Sequence, residues 1–157
     1  MIGLLRRRRC ALRWRPGGGA VAGTGTGTGK DVGVTDEPLD RLRSLCLDLP
    51  ETSERLSHGE PTWFIRDKKT FVMFADHHHD DCLGCWMAAP PGSQEALVAA
   101  DPERFFVPPY VGHRGWLGIR FDAPGVDWDE VAELVVEAYR CVAPKRLVAE
   151  LDATRPA

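Results

Sequence analysis

The sequence predicts a compact α+β domain with an N-terminal helix, an antiparallel sheet of about four to five strands, and a C-terminal amphipathic helix. Three observations lead there. Apolar residues recur at three- and four-residue steps in "EPLDRLRSLCLDLP" and again in "WDEVAELVVEAYRCV". Between them lie short runs rich in aromatic and β-branched residues, "TWFIR", "TFVMFA" and "CLGCWMA". The order helix, three strands, helix, strand, helix lacks βαβ alternation, which argues against a Rossmann or barrel enzyme.

The first helix is expected to start near Asp36 or Glu37, with Thr35 and Asp36 as caps whose side-chain oxygens accept from the free first-turn amides. Leu39, Leu42, Leu45/Cys46 and Leu49 form its apolar face, and Pro50 stops it. A polar connector, Thr52–Pro61, leads to strands Thr62–Arg66 and Thr70–Ala75, joined by a tight hairpin at "DKK", and then to Cys82–Ala88. These three runs read as an antiparallel meander. A short helix capped by Ser93 follows, then a helical turn capped by Asp101 before Pro102. A Pro/Gly-rich loop precedes a strand from about Gly115 to Phe121. In the last helix Asp127 and Glu130 have capping-box spacing. Trp128, Val131, Val135, Ala138/Tyr139 and Val142 make its apolar stripe, while Asp129, Glu130, Glu133 and Glu137 face water. Pro144 breaks it, and a shorter helix runs on to Leu151.

The chain has 157 residues, 43% apolar and 27% charged, enough for one domain with a real core. No apolar run approaches the roughly 18 residues of a membrane span, so no membrane partner is expected. Charge is unevenly spread. Residues 1–35 hold seven Arg/Lys against one acid, for +6, and residues 36–157 hold 13 against 22, for -9. The organisation read from this is a disordered Arg- and Gly/Thr-rich extension over 1–35, a domain over 36–151, and a tail over 152–157. Five cysteines at irregular spacing, without a secretory signal, point to reduced thiols and a cytoplasmic protein.

Several chemistries fail on spacing. "GTGTGTGK" is not a phosphate loop: Thr24 stands where the first glycine belongs, and Asp31 where Ser/Thr must follow the lysine. The dinucleotide fingerprint breaks at Thr28. In "FADHHHDDCLGCWMAAP" a zinc site would need four ligands converging on one ion. Cys82 and Cys85, three apart on a strand, point to opposite faces and diverge. His77, His78 and His79 with Asp80 and Asp81 read as a polar hairpin loop, so no metal and no cofactor is expected. A thioredoxin-like role needs the motif at a helix start after a strand. No G-x-S-x-G occurs, and asparagine is absent from the whole chain, which excludes formyl transfer by an Asn-His-Asp set. No catalytic residue is assigned.

"LSHGEPTWFIRDKKTFVMFADHHHDDCLGCWMAAPPG" and "FFVPPYVGHRGWLGIRFD", with the closing helix, resemble the MmcQ/YjbR family over about residues 36–151. Asp81-Cys82 stands where that pattern has Asp-Gly. The resemblance implies a double-wing α+β fold and a non-enzymatic DNA-binding role. Carried onto this chain, the wing hairpin supplies Arg66, Lys68 and Lys69, with His113 and Arg114 on a second loop, all meeting phosphates. An alternative is a small-ligand or protein-interaction module. It would take an anionic or aromatic ligand in a groove of His58, Trp63, Tyr110, His113, Arg114 and Trp116. A body at -9 repels DNA unless its 13 cations cluster, and in sequence only Lys68-Lys69 and Lys145-Arg146 are adjacent.

Overall fold

The computed structural model describes residues 36–77 and 82–155. They form α1 (Asp36–Leu47), β1 (Thr52–Ser57), β2 (Glu60–Ile65), β3 (Lys69–Asp76), β4 (Leu83–Met87), α2 (Ser93–Ala100), β5 (Phe105–Phe106), β6 (Leu117–Arg120), α3 (Trp128–Val142) and α4 (Lys145–Thr154). The strands make one six-stranded sheet in the order β1-β2-β3-β4-β6-β5, with every neighbouring pair antiparallel. The α+β class and the β2–β3–β4 meander are as expected. The cap expected of Thr35, the extension 1–35 and the loop residues His78, His79, Asp80 and Asp81 lie outside the described residues.

The sheet has more strands than the sequence suggests, because two segments not read as strands, a polar connector and the end of a helical turn, are strands. Thr52–Ser57 shows no apolar alternation, yet it pairs along its length with β2, from Thr52↔Ile65 to Ser57↔Glu60. Its backbone groups need partners wherever it runs, and its polar side chains suit a sheet edge. They are also engaged. Arg43 of α1 donates to Glu54 at 2.8 and 3.0 Å, and the Arg55 guanidinium lies 3.7 Å from the centre of the Phe64 ring. The turn into β2 places His58 (φ 56°) and Gly59 (φ 88°) both in the left-handed region, the two-residue hairpin geometry that matches strand twist. β5 is only two residues long, pairing Phe105 with Ile119 and Phe106 with Gly118.

A bulge shapes the centre of the sheet. Trp63 pairs with Val72 but Phe64 pairs with Thr70, so Phe71 is the extra residue of β3. Opposing two residues to one lets Phe71 and Val72 both turn into the core, and both are fully buried. Trp63, Val72, Met87 and Leu117 follow one another across the sheet on that face. Phe74, Cys85, Ile119 and Phe105 form the next row. The helices cover it. Phe71 meets Tyr139 of α3 edge-on with ring centres 5.8 Å apart, and Phe121 stacks on Trp128 at 5.0 Å. Leu42 and Cys46 of α1 and Leu147 and Leu151 of α4 complete the core.

Element ends differ from expectation in local ways. β4 begins at Leu83, leaving Cys82 just outside it, and β6 spans Leu117–Arg120 rather than Gly115–Phe121. Gly92 at φ 82° occupies the N-cap of α2, so Ser93 is its first residue and makes no side-chain cap bond. Asp101 does accept from the Arg104 amide at 3.2 Å, but it closes a single turn and no helix follows. At α3, Asp127 accepts from the amides of Asp129 and Glu130 at 3.0 and 3.3 Å. The Glu130 carboxylate instead binds Arg104 at 2.6 Å, leaving the box half used. α4 runs to Thr154, three residues past Leu151.

Candidate functional site

In this sheet β1, β3 and β6 run one way and β2, β4 and β5 the other. The starts of the first set and the ends of the second therefore share one end. There lie Glu51, the β2–β3 hairpin and the loop joining β5 to β6, residues 107–116. The α3–α4 corner joins them: Tyr139 donates to the Pro50 carbonyl at 2.8 Å, and Arg146 pairs with Glu51. We call this the hairpin end.

The hairpin is tight. Arg66 (φ 53°) and Asp67 (φ 55°) both sit in the left-handed region, and the Lys68 amide donates to the Ile65 carbonyl at 3.1 Å. Arg66 is tied down twice. Its amide donates to the Glu51 carbonyl oxygen at 2.8 Å, and its Nε lies 3.2 Å from the Glu51 carboxylate. Ser53 donates its hydroxyl to Asp67. Glu51 also receives Arg146, and that contact holds the Arg146 guanidinium above its ordinary pKa. One carboxylate thus joins two arginines that the sequence keeps apart, Arg66 next to the hairpin lysines and Arg146 next to Lys145.

The other loop is held from within. Gln94 of α2, buried, donates its Nε2 to the carbonyls of Gly112 (2.8 Å) and Trp116. Inside the loop the Val111 amide donates to Pro109 O at 2.7 Å, Gly112 to Pro108 O at 3.0 Å, and Arg114 to Val111 O at 3.0 Å. Residues 112–114 form a 3-10 turn that exposes His113 and Arg114. Tyr110, at φ 63°, is 72% exposed. Trp116 is half-buried, packed against the core.

The residues singled out from sequence therefore separate. Arg66, Lys68, Lys69, Tyr110, His113, Arg114 and Trp116 share the hairpin end. His58 sits on the β1–β2 turn at the opposite end, its Nδ1 3.1 Å from Ser57 Oγ, roughly 20 Å away along six residues of strand. Trp63 is fully buried in the core, its Nε1 without a hydrogen-bond partner. The six residues proposed as one groove do not line one. Lys145, Arg146, Glu51 and Gln94 were not legible as site residues. Glu51 and Arg146 are 95 positions apart, and only packing of α4 beside β1 brings them together.

Cationic partners sharpen the picture. Of the 13 Arg/Lys in residues 36–157, seven pair with carboxylates: Arg41, Arg43, Arg66, Arg104, Arg140, Arg146 and Arg155. Arg55 and Arg120 lie over the rings of Phe64 and Phe106. Among the described residues the side chains of the remaining four, Lys68, Lys69, Arg114 and Lys145, have no hydrogen bond, ion pair or ring contact. All four are at the hairpin end. Acids occur at both ends. Glu51, Asp67 and Glu150 lie at the hairpin end, Glu51 and Glu150 paired with arginines. At the other end Glu60 opens β2, Asp76 closes β3, Asp122 reaches the Leu83 amide at 3.4 Å, and Asp127, Asp129 and Glu130 begin α3.

The two thiols of the Cys-x-x-Cys pair diverge. Cys85 faces the helices and is fully buried, which pushes its pKa well up. Cys82, half-buried, accepts from Arg120 Nε at 3.4 Å, and Arg120 shares the opposite face with Gly84. Among the described residues no group of three or more His, Cys, Asp or Glu converges on a point where a metal could sit. Nor, among the described residues, is any helix long and apolar enough to cross a membrane.

A family model described as YjbR matches residues 47–141. No curated protein matches the chain. Among solved structures, the Deinococcus radiodurans protein DR2400, described with the family-model domain DUF419, is similar at 20% identity and a TM-score of 0.58. The match covers 72% of this chain and 86% of that one. At that identity the likeness bears on the fold alone.

Proposed function

This chain belongs to the YjbR family, and on that premise we propose that it is a non-enzymatic, cytoplasmic DNA-binding protein that holds the phosphate backbone with its hairpin end. The observation that carries this reading is the placement of the cations. The side chains of Lys68, Lys69, Arg114 and Lys145 carry no intramolecular partner and share one end, while the acids of β2, β3 and the start of α3 lie at the other. From Lys145, beside β1, to Arg114, before β6, is four strand spacings, roughly 20 Å. That row is long enough to track a backbone.

The net charge of -9 over residues 36–157 opposes this only in part: at the hairpin end Glu51 is paired with arginines and Asp67 accepts from Ser53. The far acids are separated from the hairpin end by the length of a strand, roughly 20 Å, which exceeds two Debye lengths at physiological salt (about 8 Å each). A bound phosphate therefore meets the local cations more strongly than the distant carboxylates. Neutralising about four phosphates gives a salt slope of roughly -3.6 in log affinity against log salt on duplex DNA.

The test is binding of a labelled duplex by the full chain across a salt series, wild type against Lys68→Glu/Lys69→Glu. The residue 1–35 extension is common to both proteins, so the difference reports the hairpin. A shallower slope in the variant, by roughly 2, supports the reading. An unchanged slope and affinity would sink it.

A further inference from the structure

Resting on that reading, we propose that the nucleic acid taken at the hairpin end is single-stranded, with an unpaired base stacked on Tyr110. Phosphate contacts give a single strand no advantage over a duplex, but an aromatic face beside them does, because only an unpaired base can leave its stack to lie on a side chain.

Tyr110 has the features of such a platform. It is the most exposed of the large apolar side chains among the described residues, at 72%, and it projects from the loop that also exposes Arg114. Its backbone is strained. The Val111 amide reaches back to Pro109 O at 2.7 Å around Tyr110 at φ 63°, a γ-turn of the rare positive-φ form, which a bulky residue adopts at a cost. Glu51, His58, Arg66, Asp67 and His77 also have positive φ; of these, His58, Arg66 and Asp67 sit in hairpin turns that require it.

The surroundings hold that strained turn in place. Pro108 and Pro109 restrict the chain before it, and Gln94 fixes the carbonyls of Gly112 and Trp116 after it. Gly112 packs so closely on Val107 that a Cβ there would collide with that side chain. A rigidly presented ring loses little freedom on stacking, which is what a base platform needs. The free cations frame it: Arg114 is four residues on, and Lys68 and Lys69 lie two strand spacings away, roughly 10 Å.

The experiment compares a single-stranded oligonucleotide with a duplex of equal phosphate number, using the full chain and fluorescence anisotropy at fixed salt. Wild type is expected to prefer the single strand. Tyr110→Ala should weaken the single strand about tenfold and leave the duplex unchanged. Tyr110→Phe should keep the preference and Tyr110→Trp should increase it, so the outcome does not depend on the alanine variant alone. Equal affinity of wild type for both ligands, or equal losses on both in Tyr110→Ala, overturns the proposal while leaving the phosphate reading standing. No binding of either ligand by wild type removes both.

Discussion

Tyr139 donates its hydroxyl to the carbonyl oxygen of Pro50 at 2.8 Å, joining residues 89 positions apart. The bond fastens α3 to the entry of β1 and so sets the place of the α3–α4 corner, from which Arg146 reaches Glu51. Burial pushes the Tyr139 hydroxyl up to about 12.

Tyr139→Phe keeps the ring against Phe71 but leaves the Pro50 carbonyl without that donor. The expected loss is about 1 to 2 kcal/mol, read as a lower urea midpoint at unchanged m. A drop in m would instead mean that the helix had detached.

The pH dependence follows from the same burial. A folded pKa above the unfolded one means the native state holds the proton longer, so this contribution is complete below pH 10 and is lost as pH rises towards about 12. Burial raises the Cys46 and Cys85 thiols as well, adding to the loss from about pH 9 upward. Unfolding midpoints should therefore fall across this alkaline range, and less steeply in Tyr139→Phe. An equal slope in the variant would show that Tyr139 does not contribute.

Glu51 holds Arg66 and Arg146 together and neutralises both in part. Glu51→Gln should tighten DNA binding several-fold at low salt and steepen the salt slope by about one. Weaker binding would mean that Glu51 serves mainly to shape the hairpin.

Two glycines hold β4, β5 and β6 close. A methyl group at Gly84 would run into the Ile119 carbonyl of β6, and one at Gly118 would lie 2.5 Å from the Phe106 ring. A side chain can swing aside and a strand backbone cannot. Gly84→Ala should cost about 3 kcal/mol or more and Gly118→Ala about 1 to 2, compared by chemical denaturation. The reverse order would refute the packing account.

Thiol labelling followed by peptide mass spectrometry checks the Cys-x-x-Cys geometry. Cys141, exposed, and Cys82, half-buried, should react in the native protein, and Cys46 and Cys85 only after unfolding. Simultaneous labelling of Cys82 and Cys85 would place both on one accessible face.

Both core helices were legible in the sequence because helical periodicity is local. Leu42 and Cys46, and Val131, Val135, Ala138 and Tyr139, recur at the spacing that the structure buries. The meander was legible for a similar reason: aromatic and β-branched runs mark strands whatever they pair with. The capping of α3 by Asp127 also needs only its own first turn. β1 was not legible, since its six residues carry no apolar pattern and become a strand only by hydrogen bonding to β2. The bulge at Phe71 was hidden likewise, because a register shift is a relation between two strands.

The amino-acid order alone determined the helices, the central strands and which loops would carry Lys68-Lys69 and Arg114. Only the folded chain decided which of those loops share an end. Antiparallel pairing sent His58 one way and His113 the other, core packing enclosed Trp63, and the α4 corner brought Arg146 to Glu51. Local patterns set an element's type through its own backbone and side chains. The company an element keeps depends on strand direction and burial, which only long-range contacts set.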